Sequence, residues 1–225
     1  MRRMKWLIGG VVGLAVLAVG GTFVYINFVK ADAPDRLDVA TRGAPAAPAA
    51  GGVEGTWRPG PGSQFGYRVN EVLFGQRTIA VGRTDKVTGS MVITGTTVAS
   101  VDLTVDMASV TSDESRRDNQ FRGRIMDVSR FPTSTFNLTS PLSLPTVPTD
   151  PTPVAVKATG DLTLRGTTRP VNVDLRALRN GERIEVSGTI PIVFAEWGIP
   201  SPTFGPASVE DRGDLELLVV FERNP

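Results

Sequence analysis

The side chains suited to chemistry fall into two charged groups and one apolar set. Arg116 and Arg117 stand directly before Asp118, and Arg122 and Arg124 extend the cluster. A guanidinium offers a planar fork matched to phosphate or carboxylate oxygens. The cluster therefore reads either as a seat for an anionic group or as internal ion pairs that hold a helix in place. For Arg117 and Asp118 the internal pair is the preferred reading, and Asp113, Glu114 and Asp127 dilute the positive charge. Glu196, Glu210, Asp211 and Asp214 form the second group. Acid–base catalysis by them requires convergence in a shielded cleft. Residues 209–214 read instead as a solvated turn before the last strand, and the Arg-Gly-Asp triplet at 212–214 as a chance string.

The chain has no His and no Cys. That removes the imidazole base, the commonest metal ligand, the thiol nucleophile and every disulfide. No catalytic residue, metal or cofactor is assigned, and a carboxylate-dependent hydrolase stands only as an alternative. Lys and Arg number 24 against 23 Asp and Glu; a chain so balanced lacks the basic face of a nucleic-acid binder.

The apolar set comprises Phe65, Tyr67, Phe74, Phe121, Phe131, Phe136, Phe194 and Trp197, with Met91, Met107 and Met126. Aromatic and Met side chains supply large, adaptable apolar area. Taken alone they serve equally as ordinary core or as walls of a cavity.

These residues sit in a pattern of period two. Val101, Leu103, Val105 and Met107 alternate with Asp102, Thr104 and Asp106. Phe136 and Leu138, Leu162 and Leu164, Val171 to Leu175, Ile184 to Ile192 and Leu215 to Phe221 repeat the motif. Such alternation predicts strands with one apolar and one wet face. Weaker strands are readable over 65–70, 78–81 and 87–94. Gly95, Gly166 and the Asn180-Gly181 pair predict hairpin turns, and the proline-rich stretch 145–153 a loop. Residues 112–130 read as a short helix or wound loop, with Ser112 or Asp113 as N-cap. About eight or nine antiparallel strands in one domain (56–225) predict an all-β barrel, closed to remove its edges, with a β-sandwich as the alternative.

Ahead of the domain, residues 6–29 carry no charge, enough for one helix to cross a bilayer core of ~30 Å. Arg2, Arg3 and Lys5 precede the run, which places residues 1–5 in the cytoplasm and the domain outside the cytoplasmic membrane. A cleaved signal peptide is the competing reading, under which the domain is secreted. Residues 30–55, with the string APAAPAAGG at 44–52, read as a spacer holding the domain off the bilayer.

Three stretches carry a resemblance: SRRDNQFRGRIMD (115–127) running into RFPTSTF (130–136), GDLTLRGTTRPV (160–171) and AEWGI (195–199). Together they resemble the YceI-like family of lipocalin-like polyisoprenoid-binding domains. Two positions differ from the family pattern: Asn70 stands where members often carry His, and Thr84 where they carry Phe. The resemblance implies an antiparallel lipocalin-like barrel of about eight strands with one short helix. It also implies an interior apolar tunnel for an isoprenoid lipid, a polyprenyl diphosphate or an isoprenoid quinone. The aromatic and Met residues named above would then be tunnel walls, with Arg116 or Arg117 at a diphosphate head group. Homodimerisation is a further expectation from the family. A structural or adhesion domain with a solid core is the alternative, because alternation alone does not distinguish a filled interior from a hollow one.

Overall fold

Alternating apolar and polar residues make each strand two-faced, and turning the apolar faces inward, away from water, curls the sheet into a barrel. The computed structural model describes residues 32–39, 51–73, 75–144, 152–203 and 207–223. The strands are β1 (Gly55–Pro59), β2 (Gln64–Leu73), β3 (Gln76–Thr84), β4 (Val87–Thr94), β5 (Thr97–Asp106), β6 (Thr111–Ser112) and β7 (Thr133–Leu138). They continue with β8 (Leu142–Ser143), β9 (Val154–Leu164), β10 (Thr167–Asn180), β11 (Arg183–Val193), β12 (Ala207–Val209) and β13 (Arg212–Arg223). All pairings are antiparallel. β1 faces β4 with Trp57 opposite Met91, and β2 faces β3 with Phe65 opposite Thr84. The register is nearly continuous, so β1–β2 and β3–β4 are two long strands bent at residues 60–63 and 85–86. With β5, β7, β9, β10, β11 and β13 they make an eight-stranded barrel. It closes where β13 pairs with both β2 (Asp214 opposite Arg68) and β1 (Arg223 opposite Trp57). β6, β8 and β12 are short additions at the ends of β3, β5 and β2.

Two-residue turns carry the hairpins as the sequence predicts. Arg165 and Gly166 both take positive φ (49° and 73°), the geometry that matches strand twist in a tight hairpin. In the β10–β11 turn Asn180 is still paired with Arg183, so Gly181 (φ 62°) makes the bend.

One end of the barrel is built by the 107–132 excursion. There α1 (Ser115–Gln120) runs into a wide π-type turn over Phe121–Ile125. The N-cap is Glu114, whose carboxylate accepts from the Arg116 backbone N–H at 3.1 Å, and not Ser112 or Asp113. Ser112 is in β6, where its N–H and hydroxyl both donate to Asp118 (2.9 and 2.6 Å) and tie α1 to the rim. At the opposite end lie the β4–β5 and β10–β11 turns and Trp57, which is fully buried and donates to the Val53 carbonyl at 2.8 Å.

Two expectations are corrected. The 209–214 run is not a turn throughout: residues 207–209 form β12 and Arg212 already begins β13, so the Arg-Gly-Asp string is strand. The spacer reading of 30–55 fails at both of its described parts. Val53 is buried in the core, and residues 32–39 lie against the outer barrel wall, where Val39 packs on Leu178 and Leu218. Residues 1–31, the predicted membrane span among them, fall outside the described residues, as do 40–50, Phe74 and 145–151. Among the described residues no helix is long and apolar enough to cross a membrane.

Candidate functional site

The inward faces of the strands do not meet. They enclose a cavity of about 1020 Å³ that runs along the barrel. Cavities that hold small ligands span roughly 300–1,000 Å³. The wall is aliphatic and aromatic, and successive inward positions of one strand illustrate how it is made. Phe65, Tyr67, Val69, Glu71 and Leu73, every second residue of β2, all line it. Leu103 and Val105 of β5, Leu162 and Leu164 of β9, and Ile190 and Ile192 of β11 do the same.

Aromatic wall residues lie over glycines of the neighbouring strand. The Tyr67 ring covers Gly82, and the Phe136 ring covers Gly160, so closely that a Cβ on either glycine would overlap the ring. Absence of a side chain on one strand is what gives its neighbour's ring room to lie flat against the wall. Tyr67 also stacks on Phe121 of the π-type turn (centroids 5.2 Å, 19°), joining the barrel wall to the end excursion.

Polar groups gather at the α1 end. Asp113, Arg116 and Asn119 are exposed and line the cavity, which marks that end as its mouth. Arg117 bridges Asp113 and Glu71, the latter at 3.3 Å, and Glu71 also accepts from the Thr78 hydroxyl at 3.0 Å. Burial pulls the Arg117 pKa down, but the two carboxylates more than offset this and leave it above its ordinary value. Burial likewise pushes Tyr67 up to about 12, against a weaker opposing pull from Arg117. Its phenol therefore stays a neutral hydrogen-bond donor through the physiological range.

The sequence-predicted site residues divide as follows. Phe65, Tyr67, Met91, Met107, Arg116, Arg117, Phe121, Met126, Phe136 and Phe194 are brought together around the cavity. Trp197 is buried in the core without lining it. Phe131 lies outside the wall on Gly166, flanked by the guanidinium groups of Arg130 (5.0 Å) and Arg165 (6.0 Å). Arg117 is held by internal ion pairs, while Arg116 makes no ion pair among the described residues. Thr84 is buried on the cavity wall and hydrogen-bonded to Ser109 at 2.6 Å. Asn70 points outward and donates to Glu210 at 3.2 Å.

Glu71 was missed in the sequence, though it left a signal: an acid at an inward position of an alternating strand. The carboxylates Glu196, Glu210, Asp211 and Asp214 do not converge. Glu196 pairs with Arg169, Asp211 with Arg212 and Asp214 with Arg36, and Glu210 accepts from Asn70.

A family model described as a YceI-like domain matches residues 61–221. A UPF0312 protein of Pseudomonas aeruginosa (strain LESB58) is 30% identical over 136 residues, 54% of this chain, and the match spans 61% of that relative's length. Among solved structures, a polyisoprenoid binding domain from Saccharophagus degradans implicated in plant cell wall breakdown superposes with TM-score 0.59 at 14% identity. That superposition covers 76% of this chain and 99% of the other. Burkholderia cenocepacia BcnA gives TM-score 0.53 at 20% identity over 68% and 95% of the two chains. A Campylobacter jejuni YceI protein gives 0.52 at 18% over 64% and 85%. At these identities the likeness is one of fold.

Proposed function

Because the chain belongs to the YceI-like family, we propose that its barrel binds a long isoprenoid lipid, a polyprenyl diphosphate or an isoprenoid quinone. The lipid is carried or stored at the outer face of the cytoplasmic membrane, and the protein performs no chemistry on it. The observation that supports this most is the cavity of about 1020 Å³ with its apolar wall. At about 30 Å³ per heavy atom, a water molecule's share of its liquid, that space takes on the order of 30 heavy atoms, about six isoprene units. Burying such a chain, at ~25 cal/mol per Å² over several hundred Å², gains on the order of 10 kcal/mol before the costs of association. No reacting group is required for that gain. A solid-core adhesion domain accounts for none of this empty volume. A carboxylate hydrolase finds no converging acids among the four carboxylates named for it. The uncharged run at 6–29, preceded by Arg2, Arg3 and Lys5, supports the membrane location.

The test is organic extraction and native mass spectrometry of the full chain purified from native membranes. A co-purifying isoprenoid supports the reading; repeated preparations with none overturn it. Phe136→Arg and Phe194→Arg each place a charge on the cavity wall. Each should abolish lipid recovery while the far-ultraviolet circular dichroism stays that of the barrel.

A further inference from the structure

Residues 32–39 make a strap across the outside of the barrel, and its course is set by specific bonds. At its C-terminal end the Val39 N–H donates to the Ser187 hydroxyl (3.2 Å), and Asp38 pairs with Arg176 (2.7 Å). Arg36 then meets Asp214 (2.8 Å) and Glu216 (3.4 Å). Last, the carbonyls of Pro34 and Asp35 accept from Arg68 and Arg83. Ser187 lies opposite Leu218, and Arg68 opposite Asp214. Read from Val39 to Pro34, the strap therefore climbs along β13 from the level of Leu218 to that of Asp214. It moves toward Arg212, the end of the barrel that carries α1 and the cavity mouth.

Pro34 follows the end of the uncharged run at residue 29 by five residues, which reach at most ~18 Å when fully extended. A span ending at residue 29 thus holds the mouth end close to the bilayer, and the spacer residues beyond 39 add nothing to the separation. The rim supplies an independent observation. Among the described residues the exposed large hydrophobics, Val72 (37%), Ile79 (39%) and Val193 (38%), all stand at that same end, near the end of β2, in the first half of β3 and at the end of β11. Charges there are of mixed sign, so the apolar side chains are the groups suited to a lipid surface.

We propose that the strap docks the barrel with its mouth facing the bilayer, so that Val72, Ile79 and Val193 contact the lipid surface and a chain can pass from membrane to cavity without crossing water. This rests on the membrane location argued above. The chain has no Cys, so single-cysteine labels are unique. Ser115→Cys labels the mouth and Glu182→Cys the opposite turn, separated along the barrel axis by roughly 30 Å for a twelve-residue tilted strand. The full chain, labelled with a fluorophore at either site, is reconstituted in phosphatidylcholine nanodiscs containing a nitroxide lipid.

Quenching several-fold stronger at position 115 than at 182 is the expected result. That difference should vanish in the strap double variant Arg36→Ala/Val39→Asp, whose barrel circular dichroism serves as the folding control. Equal quenching at the two sites or stronger quenching at 182 overturns the orientation, and an asymmetry that survives the strap variant overturns the strap as its cause, each leaving membrane location intact. A full chain that fails to associate with lipid at all overturns both.

Discussion

Tyr67 is one of two tyrosines in the chain, and Tyr25 lies in the uncharged run. Its environment makes a sharp prediction. The phenol is pushed up to about 12, chiefly by burial, so the folded state holds its proton more tightly than the unfolded chain, where a tyrosine titrates near ~10. Below that lower value both states are protonated and the linkage contributes no loss. As pH rises from about 10 toward 12 the unfolded state alone releases its proton, and stability falls. The loss should reach on the order of 2 kcal/mol. Denaturant unfolding of wild type and Tyr67→Phe at pH 9 and pH 11.5 checks it: the gap between the two proteins must shift with pH, and an unchanged gap refutes the burial account. The neighbouring Arg117 follows the opposite logic. Its two carboxylate partners, Glu71 and Asp113, keep it charged and occupied, which is the internal role its sequence position suggested.

At the scale of strands, close approach between a glycine and the next strand's ring sets the cavity wall. A methyl group on Gly160 would overlap the Phe136 ring and crowd the Asn137 carbonyl. The ring must then swing inward, and Gly160→Ala should cost about 1–3 kcal/mol, the range for overpacking. Gly123→Ala, where a Cβ meets nothing, is the control and should be close to neutral; equal thermal shifts in the two variants would falsify the wall geometry. This also shows where the sequence is legible and where it is silent. The alternation in β5, β9, β11 and β13 is a local property, set by which face meets water, so those strands and their turns can be read from the chain. Whether two inward faces touch depends on strand number and tilt, so the same alternation serves a solid or a hollow barrel. Only the motif resemblance pointed to a tunnel. Phe131 and Trp197 are aromatic for reasons of local packing, on Gly166 and in the core, which residue type alone does not distinguish from lining. The strap was invisible because 32–39 has no period: Leu37 and Val39 are single apolar residues among Asp35, Arg36 and Asp38.

Glu216 joins these parts into one molecule. Alternation puts it on the wet face of β13, yet it is 1% exposed, because three arginines from distant segments converge on it. Arg68 Nε lies 2.5 Å away and is itself buried, Arg83 is at 3.2 Å and partly buried, and Arg36 of the strap is at 3.4 Å and 54% exposed. The carboxylate therefore couples the β2–β3 hairpin to β13 inside the barrel wall, and the wall to the strap outside it. These couplings should differ greatly in strength. Removing one partner of a buried pair leaves the other charge without compensation and costs about 3–5 kcal/mol, whereas a solvent-exposed pair is worth roughly 0–1 kcal/mol. Glu216→Gln should accordingly destabilise the barrel severely and Arg36→Gln only slightly. Double-mutant cycles, read by unfolding of the Trp57 and Trp197 fluorescence, should give a large coupling for Glu216 with Arg68 and a small one with Arg36. The strap then holds the barrel mainly through Leu37, Val39 and its backbone carbonyls, and can be loosened without unfolding the cavity it orients. A strong coupling to Arg36 would instead make strap and barrel a single cooperative unit, in which detaching one unfolds the other.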